Sequence, residues 1–113
     1  MLNNKQIKTS TEQQQIIRGM LHVAVLAELE GGKKCGVELL IALEKTPFSS
    51  KVGTLYPLLT RMEKNGFLSS DWNIATNKTP RKYYRLTALG KNKLTEYRDF
   101  LSQIHKLLGG NMS

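Results

Sequence analysis

Apolar residues recur at spacings of three and four along most of this chain, and the period changes to two only between Gly66 and Leu86. From Thr11, with Ser10 or Thr11 as cap, Ile16, Ile17, Met20, Leu21, Ala24, Val25 and Leu29 trace a helix. After Met20 it is apolar nearly all round, which predicts burial of its second half, and Gly31-Gly32 end it. A second, short helix runs from about Gly36 to Glu44, with Val37, Leu40, Ile41 and Leu43 as its apolar positions and Pro47 enforcing the stop. Ser49-Ser50 offer caps for a third. In it Val52, Leu55, Leu58, Leu59 and Met62 form one stripe, Thr54, Arg61 and Lys64 face elsewhere, and Gly66 closes it. Pro57 is awkward there, because it removes the bond to the carbonyl of residue 53; a start near Val52 places it inside the helix.

Beyond Gly66, Leu68, Trp72 and Ile74 alternate with polar residues, and Lys82-Tyr83-Tyr84-Arg85-Leu86 is rich in strand formers. The polar, turn-prone segment 75–81 between them makes this a two-stranded hairpin with a basic tip. Thr87 then caps a last helix whose Leu94, Tyr97, Leu101, Ile104 and Leu108 repeat 3-4-3-4, with Phe100 and Leu107 widening the stripe. Five apolar positions on a terminal helix need a partner, and a second copy of the chain is the economical one. The expected organisation is a frayed arm over 1–10, one α+β domain over 11–86, a dimerisation helix over 87–108 and a tail over 109–113.

With 113 residues the chain can bury about two-thirds of its extended surface, enough for one core. Its longest apolar stretch, Met20 to Ala27, is interrupted by His22 and is too short to span a bilayer. No apolar segment ending in a small-residue cleavage site follows Lys5 and Lys8, and Cys35 is the single cysteine, so a reducing, cytoplasmic setting is expected. His22 and His105 lie far apart and the nine acidic residues are scattered. That pattern offers no metal-ligand spacing, no phosphate-binding glycine loop and no nucleophile with a base, so neither an enzyme nor a cofactor is expected.

Charge is the informative quantity. The net charge is +8, and residues 49–93 hold nine of the seventeen basic residues but two of the nine acidic ones. Seven of the eight net positive charges therefore lie in this middle stretch, most of them on the third helix and the hairpin, the footprint of a polyanion-binding face. Three helices, a hairpin and a further helix make the winged helix-turn-helix plan, in which the third helix enters the major groove of duplex DNA and the hairpin rides the flanking backbone. By chemistry, Ser50, Lys51 and Thr54 suit phosphates or base edges at the start of that helix, and Arg61 suits guanine. Lys78, Arg81 and Lys82 suit phosphate neutralisation from the wing.

Gly36-Val37-Glu38-Leu39, Gly53-Thr54-Leu55-Tyr56-Pro57 continuing to Leu68, Trp72, and Arg81-Lys82-Tyr83-Tyr84-Arg85-Leu86-Thr87-Ala88-Leu89-Gly90 resemble the PadR family of bacterial transcriptional regulators over about residues 16–108. The resemblance implies a homodimeric winged-helix repressor on a pseudo-palindromic operator, with the last helix building the dimer. Carried over by position, it puts Thr54 and Tyr56 at the DNA backbone, Pro57 and Arg61 near the groove, and Arg81 to Tyr83 on the wing strand. The candidate DNA-contacting set is thus Ser50, Lys51, Gly53, Thr54, Tyr56, Pro57, Arg61, Lys64, Lys78, Arg81, Lys82 and Tyr83. Lys51 stands where the family commonly has a Ser or Asn cap, which moves the expected cap to Ser50, and Cys35 replaces a frequent His.

Some short members of the family bind flat aromatic compounds between their last helices through a tryptophan. An ungapped count from Tyr83 puts Leu101 at that position, and Leu101 cannot stack. Two readings of the seam formed by Ile16, Met20, Tyr97, Phe100, Leu101 and Ile104 stay open: an effector pocket for a planar aromatic, or a plain dimer core. Trp72 is read as wing packing, His22 as a partly buried histidine and Cys35 as inert. A winged-helix protein-interaction module without operator binding is the alternative function, and it has no need of basic residues gathered on one side.

Overall fold

The computed structural model describes residues 10–74 and 79–110. Its elements are α1 (Thr11–Leu29), β1 (Lys34–Cys35), α2 (Gly36–Leu43), α3 (Val52–Lys64), β2 (Leu68–Asn73), β3 (Arg81–Leu86) and α4 (Ala88–Leu107). Among the described residues no helix is long and apolar enough to cross a membrane.

Local chemistry explains most of the boundaries. Ser10 caps α1 through a reciprocal pair: the Gln13 amide donates to Ser10 Oγ at 3.2 Å, and the Ser10 amide donates to Gln13 Oε1 at 2.9 Å. At α2 the Cys35 amide donates to Glu38 Oε1 at 2.9 Å. The serine cap expected for α3 does not form, because Ser50 Oγ donates to the Phe48 carbonyl at 2.9 Å. Lys51 takes the cap position, and its carbonyl accepts from both Thr54 and Leu55 at 2.9 Å. The helix runs on through Pro57, and Gly66, at φ +87°, turns the chain into β2.

The sheet has three antiparallel strands in the order β1-β3-β2, not the two expected. The extra strand, Lys34–Cys35 paired with Tyr84 and Tyr83, is too short to carry a period-two signal. In the wing itself Leu68 faces Leu86, Ser70 faces Tyr84 and Trp72 faces Lys82.

Val25, Leu26 and Leu29 of α1, Leu39 of α2, Leu55, Leu59 and Met62 of α3, Leu68, Tyr84 and Leu94 form the core. On α2 the buried positions are Gly36, Leu39 and Leu43, while Val37 and Ile41, expected inside, are exposed, Ile41 by 64%. Where Leu39, Leu40, Ile41 and Leu43 crowd eight residues, periodicity does not choose a face, and contact with the neighbouring elements does. Val52, expected on the α3 stripe, is exposed too.

α4 is seated on the turn after α3. Thr87 Oγ1 donates to the Gly66 carbonyl at 2.6 Å and accepts from the Gly90 amide at 3.0 Å, and the Thr87 amide donates to the Phe67 carbonyl at 3.1 Å. A Cβ on Gly90 would sit 2.2 Å from that carbonyl oxygen, so the helix approaches this closely because residue 90 has no side chain. Further along, Tyr97 meets His22 of α1, with His22 Nε2 and Tyr97 Oη 2.8 Å apart, and Arg98 makes a two-bond pair with Glu30.

Candidate nucleic-acid interface

α3 divides cleanly by face. Leu55, Leu59 and Met62 are buried against the core, and Gly53, Thr54, Tyr56, Pro57, Arg61 and Lys64 are exposed on the rest of the helix. Thr60, absent from the sequence-derived set, is exposed in the same stretch, its Oγ1 donating to the Tyr56 carbonyl at 3.2 Å. Its spacing of three from Pro57 and four from Lys64 was the signal available for it. Among the described residues Lys51, Arg61, Lys64 and Arg81 have no carboxylate within ion-pairing distance. Ser50 is half-buried with its proton donated internally.

Tyr56 lies against the start of α2. A Cβ on residue 36 would fall 2.6 Å from its ring, so Gly36 is what lets the phenol cross there. That contact packs the start of α2 against α3.

The wing is held to α3 by a carboxylate that the sequence reading passed over. Glu63 accepts from Ser70 Oγ at 2.5 Å and pairs with Lys82 Nζ at 3.2 Å, and Lys82 Nζ also lies 5.5 Å from the Tyr84 ring centroid. The Ser70 hydrogen bond, and then Lys82, hold the Glu63 carboxyl below the ordinary glutamate range, and the bond that Lys82 donates to Glu63 raises the pKa of its ammonium. Lys82 is therefore engaged within the protein, unlike Arg81. Arg85 pairs with Asp71, and Lys33 sits 5.5 Å from the ring centroid of half-buried Tyr83. Lys78 lies outside the described residues.

Trp72 departs from the packing role expected of it, with 63% of its surface exposed. It borders a cleft of about 360 Å³ between the wing and the α2–α3 pair. On α4, Leu94 belongs to the protomer core and Tyr97 and Leu101 are half-buried, whereas Phe100, Ile104, Leu107 and Leu108 are exposed. Ile16 of α1 is exposed as well and Met20 is half-buried, so none of the six candidate effector residues is fully buried in the single chain. Among the described residues no group of three His, Cys, Asp or Glu is placed to hold a metal ion.

A helix-turn-helix followed by a wing, with unpaired cations on the outer face of its third helix and on the wing strand, defines a winged-helix protein built to face a polyanion. Residues 25–96 match the transcriptional regulator PadR-like family. Over 94 residues the chain is 31% identical to the transcriptional regulator Rv3488 of Mycobacterium tuberculosis, covering 82% of this chain and 87% of that one. A PadR-like transcription factor from Bacteroides fragilis superposes with a TM-score of 0.76 at 29% identity, over 88% of this chain and 97% of that one. A PadR-family regulator from Eggerthella lenta does so at 0.73 and 33%, over 89% and 92%. Bacillus subtilis PadR, solved in complex with operator DNA, matches at 0.65 and 27%, over 69% of this chain and 46% of that one. The chain belongs to the PadR-like family of transcriptional regulators.

Proposed function

We propose that this regulator is a cytoplasmic repressor that binds a pseudo-palindromic operator as a homodimer, with residues 11–86 as the DNA-reading unit and 87–108 as the dimerisation helix. The observation that carries the reading is the outer face of α3, where Arg61 and Lys64 stand free while Leu55, Leu59 and Met62 anchor the helix from behind. A helix so mounted fits the major groove, about 12 Å wide. Arg61 reads guanine there, Lys51, Thr54 and Tyr56 meet phosphates, and Arg81 holds the flanking backbone. That Bacillus subtilis PadR was solved in complex with operator DNA supports DNA binding for this chain.

Dimerisation draws support from the exposed apolar side chains of α4. Phe100 is 57% and Leu107 85% exposed, and Leu108 follows them at the helix end, a surface that water disfavours and a second α4 would cover. The resulting seam, with Ile16, Met20, Tyr97, Phe100, Leu101 and Ile104, is the site for a planar aromatic effector. Phe100 is the aromatic of this set with a free face, since the Tyr97 hydroxyl is bonded to His22. A protein-interaction module would leave Arg61, Lys64 and Arg81 without a role.

Selection of genomic fragments by the purified protein, followed by competition against a scrambled duplex, tests the reading. A symmetric site with half-sites about one helical turn apart is the expected product. Binding without preference for any site, weak and steeply salt-dependent, would contradict it.

A further inference from the structure

The wing face turned toward α3 carries Leu68, Ser70 and Trp72 on β2 and, across the register, Leu86, Tyr84 and Lys82 on β3. Burial falls along this face from the base outward. Leu68 and Tyr84 belong to the core, Ser70 and Lys82 grip Glu63, and Trp72 and then Ile74 are exposed, by 63% and 73%. A packing tryptophan would be covered by the sheet's partner helix, but Trp72 is left 63% exposed. The indole instead borders the cleft beside the wing, whose exposed lining includes Tyr56, Pro80 and Arg81 and whose buried lining includes Leu59 and Tyr84.

We propose that this cleft receives one strand of the DNA duplex beside the groove that α3 occupies, with the Trp72 indole packed on a deoxyribose and Arg81 paired with the adjoining phosphate. The proposal rests on the DNA-binding reading above and adds a contact to it. A DNA strand alternates apolar sugar edges with charged phosphates, and the lining of the cleft includes both an exposed aromatic, Trp72, and an arginine, Arg81, that has no carboxylate partner among the described residues. The cleft also lies between α3 and the wing strand, elements of the middle stretch that holds most of the excess positive charge of the chain, and this favours a polyanion over a small molecule as its occupant.

The two contacts leave different signatures. Sugar packing neutralises no phosphate, so Trp72→Ala lowers affinity about tenfold on specific and scrambled duplexes alike and leaves the slope of log affinity against log salt unchanged. Arg81→Ala flattens that slope by about one. Trp72→Phe, which keeps an aromatic plane, recovers most of the loss.

Trp72 is the single tryptophan of the chain, so its emission reports on this place alone. The full-length protein is titrated with the selected operator and with a scrambled duplex, following tryptophan emission and the anisotropy of end-labelled DNA together, with circular dichroism confirming the fold of each variant. Quenching and a blue shift that saturate with the anisotropy, together with the variant pattern above, are expected. Saturating anisotropy with unchanged emission, and wild-type affinity in Trp72→Ala and Trp72→Phe, would overturn the proposal and leave the DNA-binding reading standing. Emission that responds to naphthalene-2-sulfonate but not to duplex would assign the cleft to a small ligand and overturn it too. No anisotropy change with any duplex would remove both readings together.

Discussion

Glu63 on α3 and Lys82 on the wing lie 3.2 Å apart, and this ion pair, with the Ser70 hydrogen bond to the same carboxylate, sets the position of the wing relative to the third helix. Each partner is about a third exposed, so the pair contributes about 0.5 kcal/mol to stability. Its weight lies in geometry and charge. Glu63→Gln releases Lys82 to a phosphate: affinity rises on every sequence, the salt slope steepens by about one, and discrimination between operator and scrambled duplex falls as the wing loosens. Salt titrations of the variant check this, and an unchanged slope with unchanged discrimination would contradict it.

The joint between α1 and α4 holds a titratable contact, His22 against Tyr97. Burial holds the His22 imidazole below its ordinary value of 6.5, against a smaller opposing effect of the Gly19 backbone. A base with a depressed folded pKa leaves stability intact above its unfolded value. As pH falls below 6.5 the unfolded chain takes up the proton first and the fold weakens, until the folded pKa is passed. Thermal melts are expected to show a lower midpoint at pH 5.5 than at pH 7.5. His22→Gln removes the part of that difference due to this residue; an identical pH dependence in the variant would count against it.

The α4 face gives a sharper contrast between folding and assembly. Leu107 and Phe100 are exposed in the single chain, so replacing both with Asp changes protomer stability by about 1 kcal/mol or less. If this face is the dimer seam, sedimentation moves from dimer to monomer, and affinity for a two-half-site duplex falls to that for one half-site. A double variant that still sediments as the wild type does would place the seam elsewhere.

The helical part of the fold was legible because long helices repeat their signal: α1 with Ile17, Leu21, Val25 and Leu29, and α4 with its Thr87 cap, stand where periodicity and capping place them. What escaped were features without repetition. β1 is two residues long, and the eight residues of α2 are apolar on more than one face, so Leu39 rather than Ile41 is found inside only once the neighbours are in place. The basic character of the site could be counted from sequence, and the freedom of each cation could not. Lys82 and Arg81 are adjacent, yet strand alternation turns Lys82 toward Glu63 and leaves Arg81 unpaired. Trp72 followed the alternation as expected, but its exposure depends on how the wing packs against the helices, which is a tertiary fact.

The central claim, that α3 reads sequence while the wing supplies charge, is tested most directly by comparing Arg61→Ala and Arg81→Ala on the selected operator and on a scrambled duplex across a salt series. The account predicts that Arg61→Ala loses about 1–3 kcal/mol on the operator and much less on the scrambled duplex. It predicts that Arg81→Ala weakens both about equally, with the salt slope reduced by about one. Equal losses on both duplexes for Arg61→Ala, or an operator-specific loss for Arg81→Ala, would contradict it.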